Sequence, residues 1–98
     1  MTITKTLNQE ELTLALSGRL DTTTAPELEA ALKDSWEGIS SLILEFAELE
    51  YISSAGLRVL LSAQKVMSKQ GKMVIRNAND TILEVFEITG FIDILTIE

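Results

Sequence analysis

The sequence predicts a single α/β domain in which helices pack on a mixed, mostly parallel β-sheet. Segments with strand-like alternation or short apolar runs are separated by segments with apolar residues at helical spacing, in the order β-β-α-β-α-β-α-β. Strands that alternate with helices pair in parallel through right-handed crossovers, whereas two strands joined by a short turn form an antiparallel hairpin. The length of 98 residues and the hydrophobic content of 46% match one domain, which we place at residues 1–98.

The first two predicted strands form the hairpin. Residues 2–7 and 12–16 each alternate apolar and polar side chains, which is typical of strands with one buried face. The polar residues 8–10 form the turn between them, and Ser17 and Gly18 end the second strand.

The first predicted helix follows a polar loop at residues 19–24. Thr24 and Glu27 have the spacing of a capping box, and Pro26 is favoured in the first helical turn. Apolar residues then recur at helical spacing, so we expect a helix that ends near Gly38.

The middle of the chain predicts a buried strand followed by a second helix. Residues 41–46 are a short, strongly apolar run, which is typical of a central strand. Residues 47–52 are expected to connect this strand to a helix that starts at Ser53 and Ser54. Glycine is favoured at the C′ position just after a helix, and we expect Gly71 to take that position here.

The last third of the chain predicts one more strand, helix and strand. Residues 73–75 are apolar and indicate a buried strand. Asn79 or Asp80 caps a third helix, and Gly90 ends it. Residues 91–97 are mostly apolar, and we expect them to form the final strand.

Composition excludes several classes of function. The chain has 8 Lys and Arg against 15 Asp and Glu, a formal net charge of −7, which disfavours nucleic acid and anionic membranes as partners. Because Cys and His are absent, disulfides, thiol nucleophiles, common zinc sites and imidazole bases are excluded. The chain also lacks a glycine-rich phosphate loop, a membrane-spanning apolar run and a leader signature. We therefore expect a soluble, cytoplasmic protein that is not an enzyme.

The most distinctive segment, residues 48–58, lies where a parallel strand ends and a helix begins. Loops at that end of an α/β sheet are where ligands and partners bind. Ser53 and Ser54 lie there, and either hydroxyl could cap the helix, which is a usual role of Ser at this position. Gly56 in the first turn costs about 0.8–1 kcal/mol relative to Ala, which indicates a close approach, for example by another protein next to Ser54.

Three segments carry a resemblance to a known family: Leu-Ser-Gly-Arg-Leu-Asp at residues 16–21, Ser-Ala-Gly-Leu at residues 54–57, and Phe-Glu-Ile-Thr-Gly-Phe at residues 86–91. Over essentially its whole length the chain resembles the anti-sigma-factor antagonists of the STAS domain family, whose helix start reads Asp-Ser-Ser/Thr-Gly-Leu with the first Ser phosphorylated. The resemblance implies a STAS-like fold and a phosphoacceptor at Ser54, with Ser53 as the alternative. Ser53 stands where the family has Asp.

The mechanism that this resemblance implies is a partner switch. The unmodified protein binds an anti-sigma factor that is also an ATP-dependent serine kinase, and this binding releases a sigma factor. Phosphorylation ends the complex, and a metal-dependent serine phosphatase reverses it. ATP and magnesium belong to the kinase, so we expect no cofactor and no metal in this chain. The residues expected at the partner surface are Arg19, Asp21, Thr22, Thr23, Ser53, Ser54, Gly56, Leu57, Arg58 and Ser62.

Several alternatives stay open at this point. Asp21 could orient the Ser54 hydroxyl in place of the missing family Asp, or it could simply stabilise the turn that contains it. A different function is a STAS scaffold or subunit in a larger signalling or lipid-transport complex, with no phosphorylation cycle. A third is a nucleotide or small-molecule sensor that binds its ligand at the same end of the sheet.

Overall fold

A four-stranded mixed β-sheet organises the structure, a computed structural model that describes residues 1–98. Three α-helices and a short 3₁₀ helix complete the chain. In chain order the elements are β1 (Thr2–Asn8), β2 (Glu11–Leu20), α1 (Ala25–Lys33), β3 (Ser41–Ile52), α2 (Ser54–Gln70), β4 (Lys72–Arg76), α3 (Asp80–Thr89) and the 3₁₀ helix (Phe91–Asp93). The predicted α/β class is confirmed.

The sheet has the strand order β1-β2-β3-β4. Strands β1 and β2 are antiparallel and joined by a tight turn in which Gln9 has a positive φ of 58°. The β2–β3 and β3–β4 pairs are parallel, with α1 and α2 as their crossover helices. Both the predicted hairpin and the predicted parallel pairing are therefore confirmed.

One hydrophobic core joins the three helices to one face of the sheet. Alternate strand residues such as Leu14 of β2, Leu44 of β3 and Ile75 of β4 are fully buried in it, together with Leu60 of α2 and Phe86 of α3. Burying each side chain of this size contributes about 1.5–3 kcal/mol. Because this core fixes β2 and β3 side by side in parallel, their carboxyl ends meet at the same edge of the sheet.

Helix α2 is the longest helix, with 17 residues, and it ends at the predicted glycine. Gly71 donates its backbone N–H to the carbonyl oxygen of Met67 at 2.7 Å. A Cβ at Gly71 would collide with the backbone carbonyl of Ser40, so this position requires glycine for the close approach of the two segments. None of the helices has both the length and the apolar character needed to cross a membrane.

The predicted final strand is wrong. After Gly90, which is left-handed with φ 81°, the chain turns into the 3₁₀ helix instead of extending. The backbone N–H of Asp93 then bonds to the carbonyl of Gly90. Only a single parallel bridge remains near the end of the chain, between Ile97 and Ile75 of β4. The prediction assumed that this apolar run is buried as a strand, whereas Ile94 is 48% exposed and does not contribute to the core.

Three further boundaries differ from the prediction. Strand β2 continues to Leu20 instead of ending at Ser17 and Gly18, because Arg19 and Leu20 pair with the end of β3. Strand β3 continues to Ile52 through the expected connector, because the second half of β2 pairs with it after two register shifts. Helix α1 ends at Lys33 instead of near Gly38. The side chain of Gln70 donates hydrogen bonds to the carbonyls of Trp36 and Ile39, which fastens the segment between α1 and β3.

Candidate partner-binding site

The candidate site lies at the edge of the sheet where β2 and β3 both end. Arg19 and Leu20 of β2 pair with Tyr51 and Ile52 of β3, and the chain then enters the β2–α1 loop and helix α2, respectively. The backbone N–H of Ser53 donates to the carbonyl of Leu20 at 2.9 Å, which ties the two exits together. Two of the three segments that carry the family resemblance, residues 16–21 and 54–57, are therefore adjacent in space.

The two serines at the start of α2 have different roles. Ser53 is the N-cap residue, and its half-buried hydroxyl accepts a hydrogen bond from the backbone N–H of Gly56 at 3.4 Å. Ser54 is the first residue of the helix and is exposed, with no hydrogen bond from its hydroxyl to the rest of the chain. The capping role that the sequence left open between the two serines belongs to Ser53. The hydroxyl of Ser54 is free to meet another molecule.

Asp21 organises the β2–α1 loop. Its Oδ1 atom accepts hydrogen bonds from the Thr23 backbone N–H at 3.0 Å, the Thr23 hydroxyl at 2.8 Å and the Thr24 backbone N–H at 3.2 Å. The hydrogen bond from the Thr23 hydroxyl is the main cause that lowers the pKa of Asp21. Desolvation, the next largest effect, opposes it, and the backbone N–H groups of Thr24 and Thr23 lower the pKa further. The carboxylate thus accepts its hydrogen bonds from within its own turn. The hypothesis that Asp21 orients the Ser54 hydroxyl is wrong, because no hydrogen bond joins them.

Thr24 also departs from its predicted role. Its hydroxyl donates to the carbonyl of Arg19 at 2.7 Å and accepts from the backbone N–H of Asp21 at 2.8 Å. It therefore makes no side-chain cap for α1, and the predicted capping box with Glu27 does not form. The hydroxyl closes the loop onto the end of β2 instead.

Arg19 is held beside this loop by two neighbours. Its guanidinium lies 4.3 Å from the centroid of the Tyr51 ring, within the range of a cation–π contact. Its Nε atom is 3.9 Å from Oδ2 of Asp21, a long ion pair between partly exposed side chains. An exposed pair of this kind contributes little to stability, but together with the ring it limits where the arginine can lie.

A shallow groove of about 230 Å³ runs from the β2–α1 loop between α1 and α2. It is lined by Thr22, Ala25, Pro26, Glu29, Ala55, Arg58, Val59 and Ser62. The sequence analysis named Thr22, Arg58 and Ser62 for the partner surface, and the structure brings them together here. It did not name Glu29, although Glu29 follows Pro26 by three residues, a spacing that places both on one face of α1.

The structure corrects the role of two residues predicted for the partner surface. Leu57 is only 6% exposed and belongs to the hydrophobic core. Gly56 is also buried, and a Cβ built on it would lie 2.8 Å from Cγ of Leu20 and 2.9 Å from Cγ1 of Ile52. The missing side chain at Gly56 therefore lets α2 approach the ends of β2 and β3. It does not open a path for another protein.

We expect Gly56→Ala to destabilise the fold. Crowding a packed core costs about 1–3 kcal/mol, and the better helix propensity of Ala returns about 1 kcal/mol, so the net loss reaches up to about 2 kcal/mol. Urea denaturation measures this loss. The same substitution made in a Leu20→Ala background should cost less, because one of the two colliding side chains is gone and space is left for the Cβ to shift away from Ile52. Equal costs in the two backgrounds would contradict the packing explanation.

The lowered pKa of Asp21 predicts a pH-dependent contribution to stability. Because folding depresses this pKa below its ordinary value of 3.8, the stabilising effect of the ionised form is complete well above that pH and is lost as the pH falls through the folded pKa. Asp21→Asn keeps the acceptor oxygen and removes only the charge. Urea denaturation should show the variant less stable at neutral pH, with the difference shrinking below about pH 4. Asp34→Asn, at an exposed helix end, is the control, and a constant difference for Asp21→Asn would refute the assignment.

Comparison with known proteins identifies the family to which this chain belongs. The model of the STAS domain family matches residues 2–98. BtrV of Bordetella bronchiseptica is 39% identical over 88 residues, which covers 88% of this chain and 76% of that protein. The anti-sigma-B factor antagonist of Listeria monocytogenes is 32% identical over 97 residues, covering 96% of this chain and 84% of that protein. The phosphorylated form of the Bacillus cell fate determinant SpoIIAA superposes with a TM-score of 0.77 at 18% identity, covering 99% of this chain and 91% of that one.

The matching family model and the named relatives place the chain among regulatory binding domains. The chain belongs to the STAS domain family, in the group of the anti-sigma-factor antagonists. The relatives so named are regulatory binding proteins, which agrees with the prediction that this chain is not an enzyme.

Proposed function

We propose that this protein controls a sigma factor by partner switching, with Ser54 as the residue that is phosphorylated. In its unmodified form it binds an anti-sigma factor that is also a serine kinase, and the sigma factor is released. The kinase then transfers the γ-phosphoryl group of ATP to Oγ of Ser54, with ADP as leaving group and the hydroxyl proton lost to the kinase or to water. A metal-dependent serine phosphatase then hydrolyses the phosphate ester with water, which releases inorganic phosphate and restores the hydroxyl. Because these reactions use ATP, the proposed location is the cytoplasm.

The observation that carries the proposal is the division of roles between the two serines. Ser53 uses its hydroxyl to cap α2, while Ser54 is exposed and its hydroxyl is unbonded. A kinase needs a reachable hydroxyl whose modification does not break the fold, and Ser54 meets both conditions. The phosphorylated form of SpoIIAA, a structural neighbour, shows that this fold can carry a phosphate.

The proposed partner surface surrounds Ser54. The exposed side chains of Arg19, Thr22 and Thr23 lie on the β2 end and the following loop, and those of Arg58 and Ser62 lie along α2. The groove between α1 and α2 joins the two groups, since it is lined by Thr22, Arg58 and Ser62. Asp21 supports this surface by fixing the loop that presents Thr22 and Thr23.

The expected effect of phosphate on the fold is small and favourable. A phosphate adds a charge of about −1.5 to −2 at pH 7. The first turn of α2 has no acidic residue, and negative charge at a helix N-terminus stabilises by about 0.3–1 kcal/mol. The modification should therefore leave the domain folded. It acts at the interface, where burying a dianion that the partner does not match with a positive charge costs several kcal/mol, and each 1.4 kcal/mol is about a factor of ten in affinity.

Phosphorylation by the cognate kinase is the direct test. We expect the mass of the intact protein to increase by one phosphate and the modified peptide to contain residue 54. Ser54→Ala should abolish the increase. Ser53→Ala removes the helix cap, at a cost of about 0.5–2 kcal/mol in stability, and should still be phosphorylated.

The result also separates this proposal from the other functions of a STAS domain. A scaffold without a phosphorylation cycle predicts no added phosphate, and Ser54→Ala would leave its complexes and its cellular activity unchanged. Phosphate that is still added to Ser54→Ala would move the acceptor to another residue and remove the assignment.

A charged residue at position 54 should weaken kinase binding while the fold stays intact. We expect Ser54→Asp to lose about tenfold or more in affinity, because the carboxylate is desolvated against the partner without a matching charge. Ser54→Asn has nearly the same shape without the charge and should bind within a few-fold of the unmodified protein. Calorimetry measures the affinities, and circular dichroism should give the same spectrum for all three proteins. Loss of fold in Ser54→Asp alone would contradict the argument from the helix terminus.

A further inference from the structure

Arg58 lies one helical turn after Ser54 on α2. We infer that a phosphate on Ser54 is bound by Arg58 of the same chain, so that phosphorylation also withdraws this arginine from the partner surface. The inference rests on the proposed modification of Ser54 and concerns what the phosphate does once it is attached. It adds a second effect to the switch, since the partner meets a new negative charge and loses a positive one.

The helix geometry places the two side chains together. Ser54 is the first residue of α2 and Arg58 is the fifth, a spacing of i and i+4. Residues at this spacing lie on one face, with Cβ atoms about 5–6 Å apart. Both residues are exposed, so neither side chain has to leave a buried position to make the contact. A guanidinium binds a phosphate through two parallel N–H donors, which a serine hydroxyl cannot engage.

Arg58 is the arginine near Ser54 that has no partner of its own. The chain contains three ion pairs, Arg19 with Asp21, Lys33 with Glu29, and Arg76 with Glu98, and none includes Arg58. Arg19, on the neighbouring strand β2, is also held on the Tyr51 ring.

The acidic side chains of the β2–α1 loop and of the groove beside Arg58 already have partners of their own. Asp21 of the β2–α1 loop accepts its bonds from Thr23 and Thr24. Glu29 of α1 lines the same groove as Arg58, but its carboxylate is 3.0 Å from the Lys33 ammonium group. A phosphate on Ser54 would therefore meet a free guanidinium without displacing an existing partner.

The test is a ³¹P NMR titration of the full chain with phosphoserine installed at position 54 by chemical ligation. A guanidinium beside the phosphate stabilises the dianion and lowers its second pKa. Removing the guanidinium should therefore raise this pKa in Arg58→Ala, by about 0.2–0.4 units if the contact resembles other helical i, i+4 pairs. The helix terminus acts on the phosphate in both proteins, so its effect cancels in the difference. Arg58→Lys keeps the charge without the two-donor fork and should give an intermediate value.

Lys65→Ala is the matched control. Lys65 lies on nearly the same face of α2, about 16 Å along the helix from Ser54, and the substitution removes one positive charge just as Arg58→Ala does. We expect the phosphate pKa of Lys65→Ala to equal that of the parent chain. The same pKa in Arg58→Ala and the parent, or equal shifts in Arg58→Ala and Lys65→Ala, would overturn the inference.

The experiment distinguishes this inference from the proposed function. Because the phosphoserine is installed chemically, the titration gives its answer even if the kinase never modifies Ser54. Conversely, a titration without any shift leaves the kinase assay on Ser54→Ala unaffected. Circular dichroism of each variant confirms that the fold is intact, which is expected because Arg58 and Lys65 are both exposed helix positions where Ala is a strong helix former.

Discussion

The direct passage from β3 into α2 constrains the rest of the site. Strand β3 ends at Ile52 and helix α2 starts at Ser54, so Ser53 is the only residue between them. Its backbone N–H bonds to the carbonyl of Leu20, which continues the contact between the strands, and its hydroxyl accepts from the N–H of Gly56, which starts the helix. One residue thus satisfies groups of both elements. Because Ser53 is held in this way, Ser54 follows as an exposed first residue of the helix.

The same short junction explains the glycine in the first turn. With no loop to separate them, α2 begins in contact with the last residues of β2 and β3, and a Cβ at Gly56 would collide with Leu20 and Ile52. The loop after β2 is equally compact, since Asp21 and Thr24 hydrogen-bond to groups within five residues of themselves. Ser54 is consequently presented on a rigid surface. A rigid surface loses little conformational entropy on binding, which favours recognition by a partner.

The sequence predicted the architecture better than it predicted the roles of single residues. Alternation in the first two strands and apolar runs in the next two were sufficient for the hairpin and the parallel sheet, because burial on one face imposes that pattern. The final strand failed because hydrophobicity alone does not distinguish a strand from a 3₁₀ turn that leaves Ile92 and Ile94 partly exposed. The roles of Ser53 and Ser54 could not be separated either, since both are good capping residues and only the position of the Gly56 N–H decides between them.

Gly56 and Asp21 are two further residues whose roles the sequence alone does not determine. The sequence analysis correctly identified Gly56 as unfavourable for helix stability. The sequence does not show, however, whether the group that approaches Gly56 closely belongs to the same chain or to a partner. For Asp21 two roles were open, and the choice depended on the hydroxyl of Thr23, whose rotation no sequence pattern records. Glu29 was missed because its link to the site is the groove between α1 and α2, a contact between elements that are distant in the sequence.

The serine at position 53 changes the electrostatics of the proposed switch. In the family pattern that the chain resembles, an Asp precedes the phosphoacceptor, so a phosphate is added next to an existing negative charge. Two unit charges 4 Å apart in water repel by about 1 kcal/mol, and by more near a protein surface. Here Ser53 caps the helix without a charge, and the first turn of α2 contains no other acidic residue. On the proposed modification, a phosphate on Ser54 would lie beside the N–H groups of the helix start and the arginine one turn later, both of which favour the dianion. The loss of the family Asp therefore makes the modified state easier to accommodate within the folded chain, and the antagonism to partner binding has to come from the interface itself.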